Sequence, residues 1–202
     1  TPNDFYTETG IEQGVTALYR QMRNMYGNGY WLSALINGTD EATWAQSADN
    51  NFLTLDMSSS GVLTPTNYPT SIVWQNAFTY INTANGIIQN GSAAGVAESV
   101  VAEARFFRAF DYFLLVQSYG GVPLDLGSGE LAFNVTPITK SVRNTVPDVY
   151  TKAIFPDLVK AIEDLPVSPR VTGGVTKNVA RLQLAKAYLT YGWWLQNPNS
   201  IP

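Results

Sequence analysis

The sequence predicts a mainly α fold in which long helices pair antiparallel and one irregular insertion interrupts them. Three observations lead to this prediction. Apolar residues recur every three to four positions in five long segments, which is the period of an amphipathic helix. Glycine and proline residues separate these segments, as they do at helix ends. Only the stretch 27–70 lacks a regular apolar period.

The first two predicted helices each carry one apolar stripe. The first runs from about Gly10 to Tyr26 and ends at Gly27-Asn28-Gly29, and the second covers about 74–88 and ends at Asn90-Gly91. The stripe residues are Ile11, Val15, Leu18 and Met22, then Trp74, Ala77, Phe78, Ile81, Ala84, Asn85 and Ile88. One face of each helix is therefore expected to be buried.

The third predicted helix, from about Ala94 to Tyr119, is apolar on two sides. A helix of this kind is expected to be buried between other helices. Gly120-Gly121 and then Pro123 end it, an order that helix C-termini prefer. Residues 124–146 form a predicted loop, with short strands expected around Leu131–Phe133.

The last two predicted helices follow this loop. Pro147 opens the fourth, and Pro156 lies inside it, where a proline removes a backbone hydrogen bond and is expected to kink the helix. The fifth runs from about Lys177 to Leu195. Long helices joined by Gly and Pro turns suit a solenoid of TPR-like pairs, and half of a solenoid should expose an apolar end.

Composition excludes several classes of function. The 202 residues include no Cys and no His, which excludes disulfides, thiol catalysis, Cys/His zinc sites and imidazole chemistry, so no cofactor or metal is expected. The net charge is -4 and no run of Lys or Arg occurs, so nucleic-acid binding lacks an electrostatic basis. Charged residues make up 14%, against about 25% in typical proteins. Such a composition is common in secreted and cell-surface proteins.

One stretch resembles a known family. Residues Glu103–Phe113 have the sequence EARFFRAFDYF, and LVQSYGGVPL follows at Leu115–Leu124. This resembles the signature helix of the SusD-like (RagB/SusD) family, EARFLRA…YF…YGGVPL. Further blocks resemble the family in the same order: Asn3-Asp4-Phe5-Tyr6, Thr39-Asp40-Glu41, Trp74 to Asn85, Arg143 to Pro166, and Thr176 to Leu189. The resemblance covers nearly the whole chain.

The resemblance implies a binding module and not an enzyme. Members of the family fold as TPR-like helix pairs that carry a less regular, ligand-binding part. They are usually lipoproteins on the surface of Bacteroidetes cells, where they form a lid on a TonB-dependent SusC-like transporter and bind its glycan cargo. The expected partners are therefore a glycan and that transporter, and the expected location is the outer membrane.

The chain departs from the family in two respects. The lipid-bearing cysteine is absent, which we attribute to trimming. Residues 1–202 resemble only the N-terminal part of a member, roughly its first half or less. We therefore expect the chain to be a fragment of a longer protein, with a site that the later part helps to form.

The insertion 27–70 is where we expect the glycan to bind. Aromatic rings stack on the C–H faces of sugars, while amides and carboxylates bind the hydroxyls, and an exposed irregular region suits such contacts. The candidate ligand-binding residues are Tyr30, Trp31, Asp40, Trp44, Asn50 and Tyr68. The alternative is that these aromatics only pack the insertion onto the helices.

Two rival functions stay open: a TPR-like scaffold that binds only protein, and a carboxylate-dependent glycoside hydrolase. A glycosidase needs two carboxyl groups about 5 to 9.5 Å apart across the scissile bond. Asp40 and Glu41 are adjacent, so a turn or a helix cap is the favoured interpretation.

Two further groups of residues have a structural interpretation. Arg105 and Arg108 lie three residues apart with Asp111 and Tyr112 in range, which favours an ion-pair network over an anion site. Trp193-Trp194 ends the last predicted helix, where one ring is expected to face the core and the other a neighbour.

Overall fold

The computed structural model describes residues 5–27, 36–42, 53–55, 64–136 and 140–198. Its helices are α1 (Glu8–Gly27), α2 (Tyr68–Asn90), α3 (Glu98–Tyr119), α4 (Val146–Asp148), α5 (Phe155–Asp164) and α6 (Lys177–Gln196). A π-helical segment, Val149–Ile154, joins α4 to α5, and a short 3₁₀ turn covers Leu53–Leu55. Within the described ranges β pairing is limited to one antiparallel bridge, Asp125 to Glu130. The mainly α prediction is confirmed.

The chain divides into two compact units, one formed by residues 1–19 and 79–202 and the other by residues 20–78. In the first unit, α5 packs against both α3 and α6. The largest fully buried side chains of this unit are Ile11, Leu18, Ile81, Ile87, Phe107, Tyr112, Leu115, Leu124, Tyr150, Ile154 and Leu158. In the part of the chain that the structure describes, no helix is both long and apolar enough to span a bilayer.

Helix α1 begins where the chain folds back on Phe5. The Gly10 N–H donates to Thr7 Oγ1 over 3.2 Å, and a Cβ on Gly10 would lie 1.8 Å from the carbonyl oxygen of Phe5. Only glycine permits so close an approach. Three members of the predicted stripe, Ile11, Val15 and Leu18, are buried.

Helix α2 begins at Tyr68, earlier than its predicted start near Trp74. Pro69 occupies the first turn, where the backbone N–H that proline lacks would have no intrahelical acceptor. Ile72 and Val73 are buried, although both lie outside the apolar stripe on which the prediction rested. Tyr68 is therefore the first residue of a helix and not the end of an irregular region.

Helix α3 is buried on both sides, as predicted, and even Glu103, Arg108 and Asp111 are buried. It ends at Gly120, whose φ of 71° terminates the helical path. Arg143 donates from Nε to the Gly121 carbonyl and from Nη2 to the Tyr119 carbonyl, each over 2.7 Å. The bond to Tyr119 reaches a carbonyl of the last helical turn, where the helix itself offers no donor.

The prediction of short strands around Leu131–Phe133 is wrong. This segment belongs to the loop 120–136, in which Leu131 has a φ of 60°. A left-handed residue interrupts the extended path that a strand requires. The bridge from Asp125 to Glu130 lies just before it.

The fourth predicted helix begins as expected and changes its form before Pro156. Thr145 caps it in a capping box, because its hydroxyl accepts the Asp148 N–H while the Asp148 carboxylate accepts the Thr145 N–H. The π-helical segment Val149–Ile154 then precedes Pro156, which lies in the first turn of α5. A proline cannot donate to the carbonyl four residues earlier, and a wider turn lets the helical path continue.

Helix α6 buries only a narrow face. Thr176 caps it by accepting the Val179 N–H, and its buried residues are Ala180, Gln183 and Ala187. Its exposed large apolar residues are Val179, Leu182, Tyr188, Leu189, Trp193 and Leu195. The Trp194 ring is half-buried and parallel to that of Tyr191 at 6.0 Å. This exposure fits the expectation that half of a solenoid presents an apolar face.

Candidate functional site

The six residues predicted to bind a glycan are only partly within the described structure. Asp40 lies in the exposed turn 36–42 and Tyr68 is the first residue of α2. The other four, Tyr30, Trp31, Trp44 and Asn50, lie outside the described residues. Their assembly into one glycan site stays a prediction.

The turn that carries Asp40 is organised by its neighbour Thr39. The Thr39 hydroxyl donates to the Ile36 carbonyl over 2.9 Å and accepts from the N–H groups of Glu41 and Ala42. Gly38 has a φ of 84°, and a Cβ there would lie 2.1 Å from the Leu55 carbonyl oxygen. The turn thus lies directly against the segment 53–55. Asp40 and Glu41 are both exposed on it, as a ligand contact requires.

Arg108 lies at the centre of a buried polar network. Its guanidinium donates from Nε to Asp157 Oδ2 over 2.6 Å and from Nη2 to Asp157 Oδ1 over 2.8 Å. Nη1 donates to Asn85 Oδ1 over 2.7 Å and to the Leu131 carbonyl over 3.1 Å. Arg105 adds a bond to Asp157 Oδ1 at 3.2 Å. The predicted ion-pair network is present, although the acid at its centre is Asp157 of α5.

The pKa of Arg108 reflects this pairing. Burial acts to lower the pKa, but the charge of Asp157 and its hydrogen bonds outweigh burial and raise it above its ordinary value. The guanidinium therefore stays charged, and four of its five N–H donors bond to the protein itself. This leaves the network with a structural role, joining α2, α3, α5 and the loop that contains Leu131.

A second network holds Glu103, whose side chain is fully buried. Arg170 donates from Nε to Glu103 Oε1 over 2.9 Å and from Nη2 to Oε2 over 3.1 Å, and its Nη1 reaches Glu12 Oε2 at 2.8 Å. Nearby, the Tyr19 hydroxyl accepts the Val175 N–H over 2.8 Å. Burial above all raises the pKa of Tyr19, so this phenol stays protonated. Through Arg170, Glu103 of the signature thus links α3 to α1 and to the segment before α6.

Polar residues on one face of α2 hold the loop segment 131–134. Asn85 Nδ2 donates to the Ala132 carbonyl, and Gln89 Oε1 accepts the Phe133 N–H. Asn82 bonds both backbone groups of Asn134: Nδ2 donates to its carbonyl over 2.8 Å and Oδ1 accepts its N–H over 2.9 Å. We call Asn82, Asn85 and Gln89 the amide ladder. It gives an irregular segment the hydrogen bonds that a neighbouring strand would give.

Next to the amide ladder lies a cleft of about 260 Å³. It is lined by Phe5, Tyr6, Asn82, Thr83 and Phe133, all in the first unit, and we call it the aromatic cleft. The Tyr6 ring contacts Phe5 and Phe133 edge to face, with centroid distances of 5.2 and 5.5 Å. The exposed fraction of Phe5 is 41%.

Gly86 of α2 is what allows the Tyr6 and Phe133 rings to lie so close to this helix. A Cβ on Gly86 would lie 2.4 Å from the Tyr6 hydroxyl oxygen and 3.1 Å from the Phe133 ring. Because Gly86 has no side chain, both rings can pack against the backbone of α2. Burial raises the pKa of Tyr6, which keeps its hydroxyl protonated at neutral pH.

The aromatic cleft was not among the sites that the sequence predicted. Phe5 and Tyr6 precede α1, whereas Phe133 follows more than a hundred residues later in a loop without periodicity. The sequence did contain one signal, because Asn82, Asn85 and Gln89 share one helical face. Three amides on one helix face indicate a polar neighbour, but not which segment it is.

Comparison with known proteins extends these observations. A family described as starch-binding and associating with the outer membrane matches residues 2–189. SusD-like protein P2 of Formosa agariphila is 28% identical over 204 residues, which is 95% of this chain and 38% of that protein.

Solved structures agree on the fold. A laminarin-binding SusD-like protein has 27% identity and a TM-score of 0.73, covering 94% of this chain and 41% of that one. A SusD homologue from Bacteroides thetaiotaomicron has 23% identity and a TM-score of 0.73, covering 95% and 38%. This chain therefore spans about two fifths of the length of these relatives. The TPR-like helical fold that the sequence predicted is confirmed.

The residues that the family match covers include both buried networks and the amide ladder, and they extend from the segment before α1 into α6. A match of this extent confirms what the resemblance at Glu103–Leu124 predicted. The chain belongs to the SusD-like family.

Proposed function

We propose that this protein is the surface glycan-binding component of an outer-membrane nutrient uptake system in Bacteroidetes. In this proposal it binds an oligosaccharide or polysaccharide and delivers it to a TonB-dependent SusC-like transporter. A lipid anchor holds it at the cell surface. The observation that carries the proposal is the match of residues 2–189 to a family described as starch-binding and associating with the outer membrane.

The relatives support one class of ligand. The family description names starch, an α-linked glucan, and one similar solved structure is described as laminarin-binding, which denotes a β-linked glucan. Both are neutral polymers of glucose. Neutral glucans are therefore the first class to test, and the insertion residues Tyr30, Trp31, Asp40, Trp44, Asn50 and Tyr68 are the contacts that we propose for them.

The positions of the carboxylates support binding of a glycan without its hydrolysis. Asp157 and Glu103 are buried, and arginines bind both of their carboxylates in two-point contacts. A carboxylate whose two oxygens are both bound by an arginine has a structural role in the fold. Asp40 and Glu41 are adjacent on an exposed turn, which does not place two acids on opposite sides of a glycosidic bond.

Affinity electrophoresis tests the proposal in gels that contain soluble starch or laminarin. We expect one of these polysaccharides to retard the 202-residue chain. Replacing Trp31 or Trp44 by Ala should abolish the retardation, because a stacking ring is lost. Trp193→Ala is the matched control, since Trp193 lies in α6 and its exposed fraction is 61%.

Product analysis of the same mixtures tests the absence of catalysis. We expect prolonged incubation with starch or laminarin to release no shorter sugar. Released oligosaccharides that disappear in an Asp40→Asn variant would make the protein a hydrolase.

A TPR-like protein-interaction role is the second candidate, and the exposed apolar face of α6 favours it. Leu182, Leu189 and Trp193 have exposed fractions of 59%, 76% and 61%. Apolar surface of this kind commonly marks a contact with other protein. This role is compatible with glycan binding, because α6 lies outside the insertion 27–70.

A further inference from the structure

We propose that the aromatic cleft is a carbohydrate subsite in addition to the insertion 27–70. The inference rests on the proposed glycan-binding function and adds a site to it. The five lining residues, Phe5, Tyr6, Asn82, Thr83 and Phe133, all lie outside the insertion. The ligand class is a neutral sugar, in the form of one or two units of a longer chain.

The size of the cleft sets the size of the ligand. Its volume is about 260 Å³, just below the range of about 300 to 1,000 Å³ for pockets that hold drug-sized ligands. A cleft of this volume accommodates a short piece of an oligosaccharide and leaves the rest of the chain in solvent. The exposed Phe5 ring lies at its rim.

The rings of the cleft are held in place before any ligand arrives. The amide ladder bonds the backbone on both sides of Phe133 through Ala132 and Asn134, and Gln89 bonds Phe133 itself. Tyr6 contacts the Phe133 ring, and its hydroxyl lies against the bare backbone of Gly86. A site whose rings are already ordered loses little conformational entropy when it binds.

The polar groups of the cleft retain capacity for hydroxyl groups. Asn82 uses one N–H and one lone pair on Asn134, so its other amide N–H and lone pair stay open. The Thr83 hydroxyl donates to the Thr79 carbonyl and can still accept. The Tyr6 hydroxyl makes no hydrogen bond within the described residues. Sugar hydroxyls, which both donate and accept, suit this mixture.

The absence of charge separates a sugar from other small ligands. The five lining residues carry no formal charge at neutral pH, since Tyr6 is the one titratable group among them. Among the described residues that line the cleft, a phosphate or a carboxylate would find no cation and a cationic ligand would find no anion. Three aromatic rings with an amide and hydroxyls favour a neutral, polyhydroxylated ligand with apolar C–H faces.

Calorimetric titration with maltoheptaose and with laminarihexaose tests the subsite. Phe133→Leu keeps the apolar bulk but removes the ring, and should weaken binding of the preferred sugar about fivefold, as expected for loss of an aromatic contact. Tyr6→Phe removes only the hydroxyl and should weaken it about threefold. Tyr188→Phe, in α6, is the matched control and should bind as the wild type does.

Nuclear magnetic resonance shows whether the sugar contacts the aromatic cleft, the insertion or both. In the wild type the sugar should shift the side-chain amide signal of Asn82 together with the indole signals of Trp31 and Trp44. In Phe133→Leu the Asn82 shift should disappear while the indole shifts persist. Unchanged thermal midpoints for Tyr6→Phe and Tyr188→Phe show that the fold is intact.

Two results overturn the proposal in distinguishable ways. If the wild type binds a sugar but Asn82 does not shift and both cleft variants bind as Tyr188→Phe does, the aromatic cleft is not a subsite and the proposed function stands. If the wild type binds no glycan, the proposed function fails and the subsite fails with it.

Discussion

At Arg108, four hydrogen bonds from one guanidinium reach a carboxylate on α5, an amide on α2 and a loop carbonyl. The residue is only 4% exposed, so each of these bonds replaces one that water would have made. Its position in the family signature is explained by the fold alone. The same holds for Glu103, which is bound on both oxygens by Arg170.

Replacing Asp157, the acid paired with Arg108, should destabilise the fold. Asp157→Asn leaves a buried guanidinium without its counter-charge, and we expect the free energy of unfolding to fall by about 3 kcal/mol. Urea denaturation followed by circular dichroism measures it. Lys160→Ala is the control, because Lys160 forms exposed pairs with Glu163 and Asp164, and exposed ion pairs contribute little to stability. Equal losses of unfolding free energy in the two variants would contradict a structural role for the buried pair of Arg108 and Asp157.

Asp148 gives a pH-dependent prediction. Its hydrogen bonds with the Thr145 side chain and N–H lower its pKa below the ordinary value of 3.8. Because the folded pKa is the lower one, the stabilisation is complete above the ordinary value and is lost as the pH falls through the folded pKa. The stability difference between wild type and Asp148→Asn should therefore be largest at neutral pH and shrink below about pH 4. Thermal melts from pH 7 to pH 2 test this, and a difference that grows in acid would refute it.

At the scale of elements, the amide ladder decides the shape of the loop that follows α3. A segment with a left-handed residue at Leu131 cannot pair as a strand, so side chains of α2 bond its backbone instead. The ladder and the Arg108 network share Asn85, whose Oδ1 accepts from Arg108 and whose Nδ2 donates to Ala132. Loop and core are thus coupled through one buried amide.

Hydrogen exchange tests the ladder. In Asn82→Ala the Asn134 N–H loses its acceptor, and we expect its exchange to become about fivefold faster, as for loss of one hydrogen bond. Asn76→Ala is the control, because the Asn76 amide donates to Ile72 within its own helix. Faster exchange throughout α2 in Asn82→Ala would show that the variant disturbs the helix and not the loop alone.

At the scale of the whole molecule, the sequence predicted the helices but not the contacts between distant segments. The five long helical segments follow from apolar periodicity, and their ends from Gly and Pro. The early start of α2 was missed because Ile72 and Val73, which are buried near its start, lie off the stripe. The π-helical form before Pro156 was missed because a proline indicates a disruption without specifying its geometry.

The partners of the polar residues were beyond sequence reasoning for a physical reason. Arg108 and Asp157 are 49 residues apart, and Asn82 and Asn134 are 52 apart. Such pairs form only when tertiary packing brings two elements together, and no local pattern specifies them. The aromatic cleft depends on the same long-range placement of Phe133. The glycan residues of the insertion follow from composition and the family resemblance, and they stay predictions.

Calorimetric titration of the wild-type chain with maltoheptaose and laminarihexaose tests whether this member of the SusD-like family binds glycans, as we propose. We expect saturable binding of one of these sugars and unaltered sugar recovered afterwards. Failure to bind either of these sugars or any other class of oligosaccharide would contradict it.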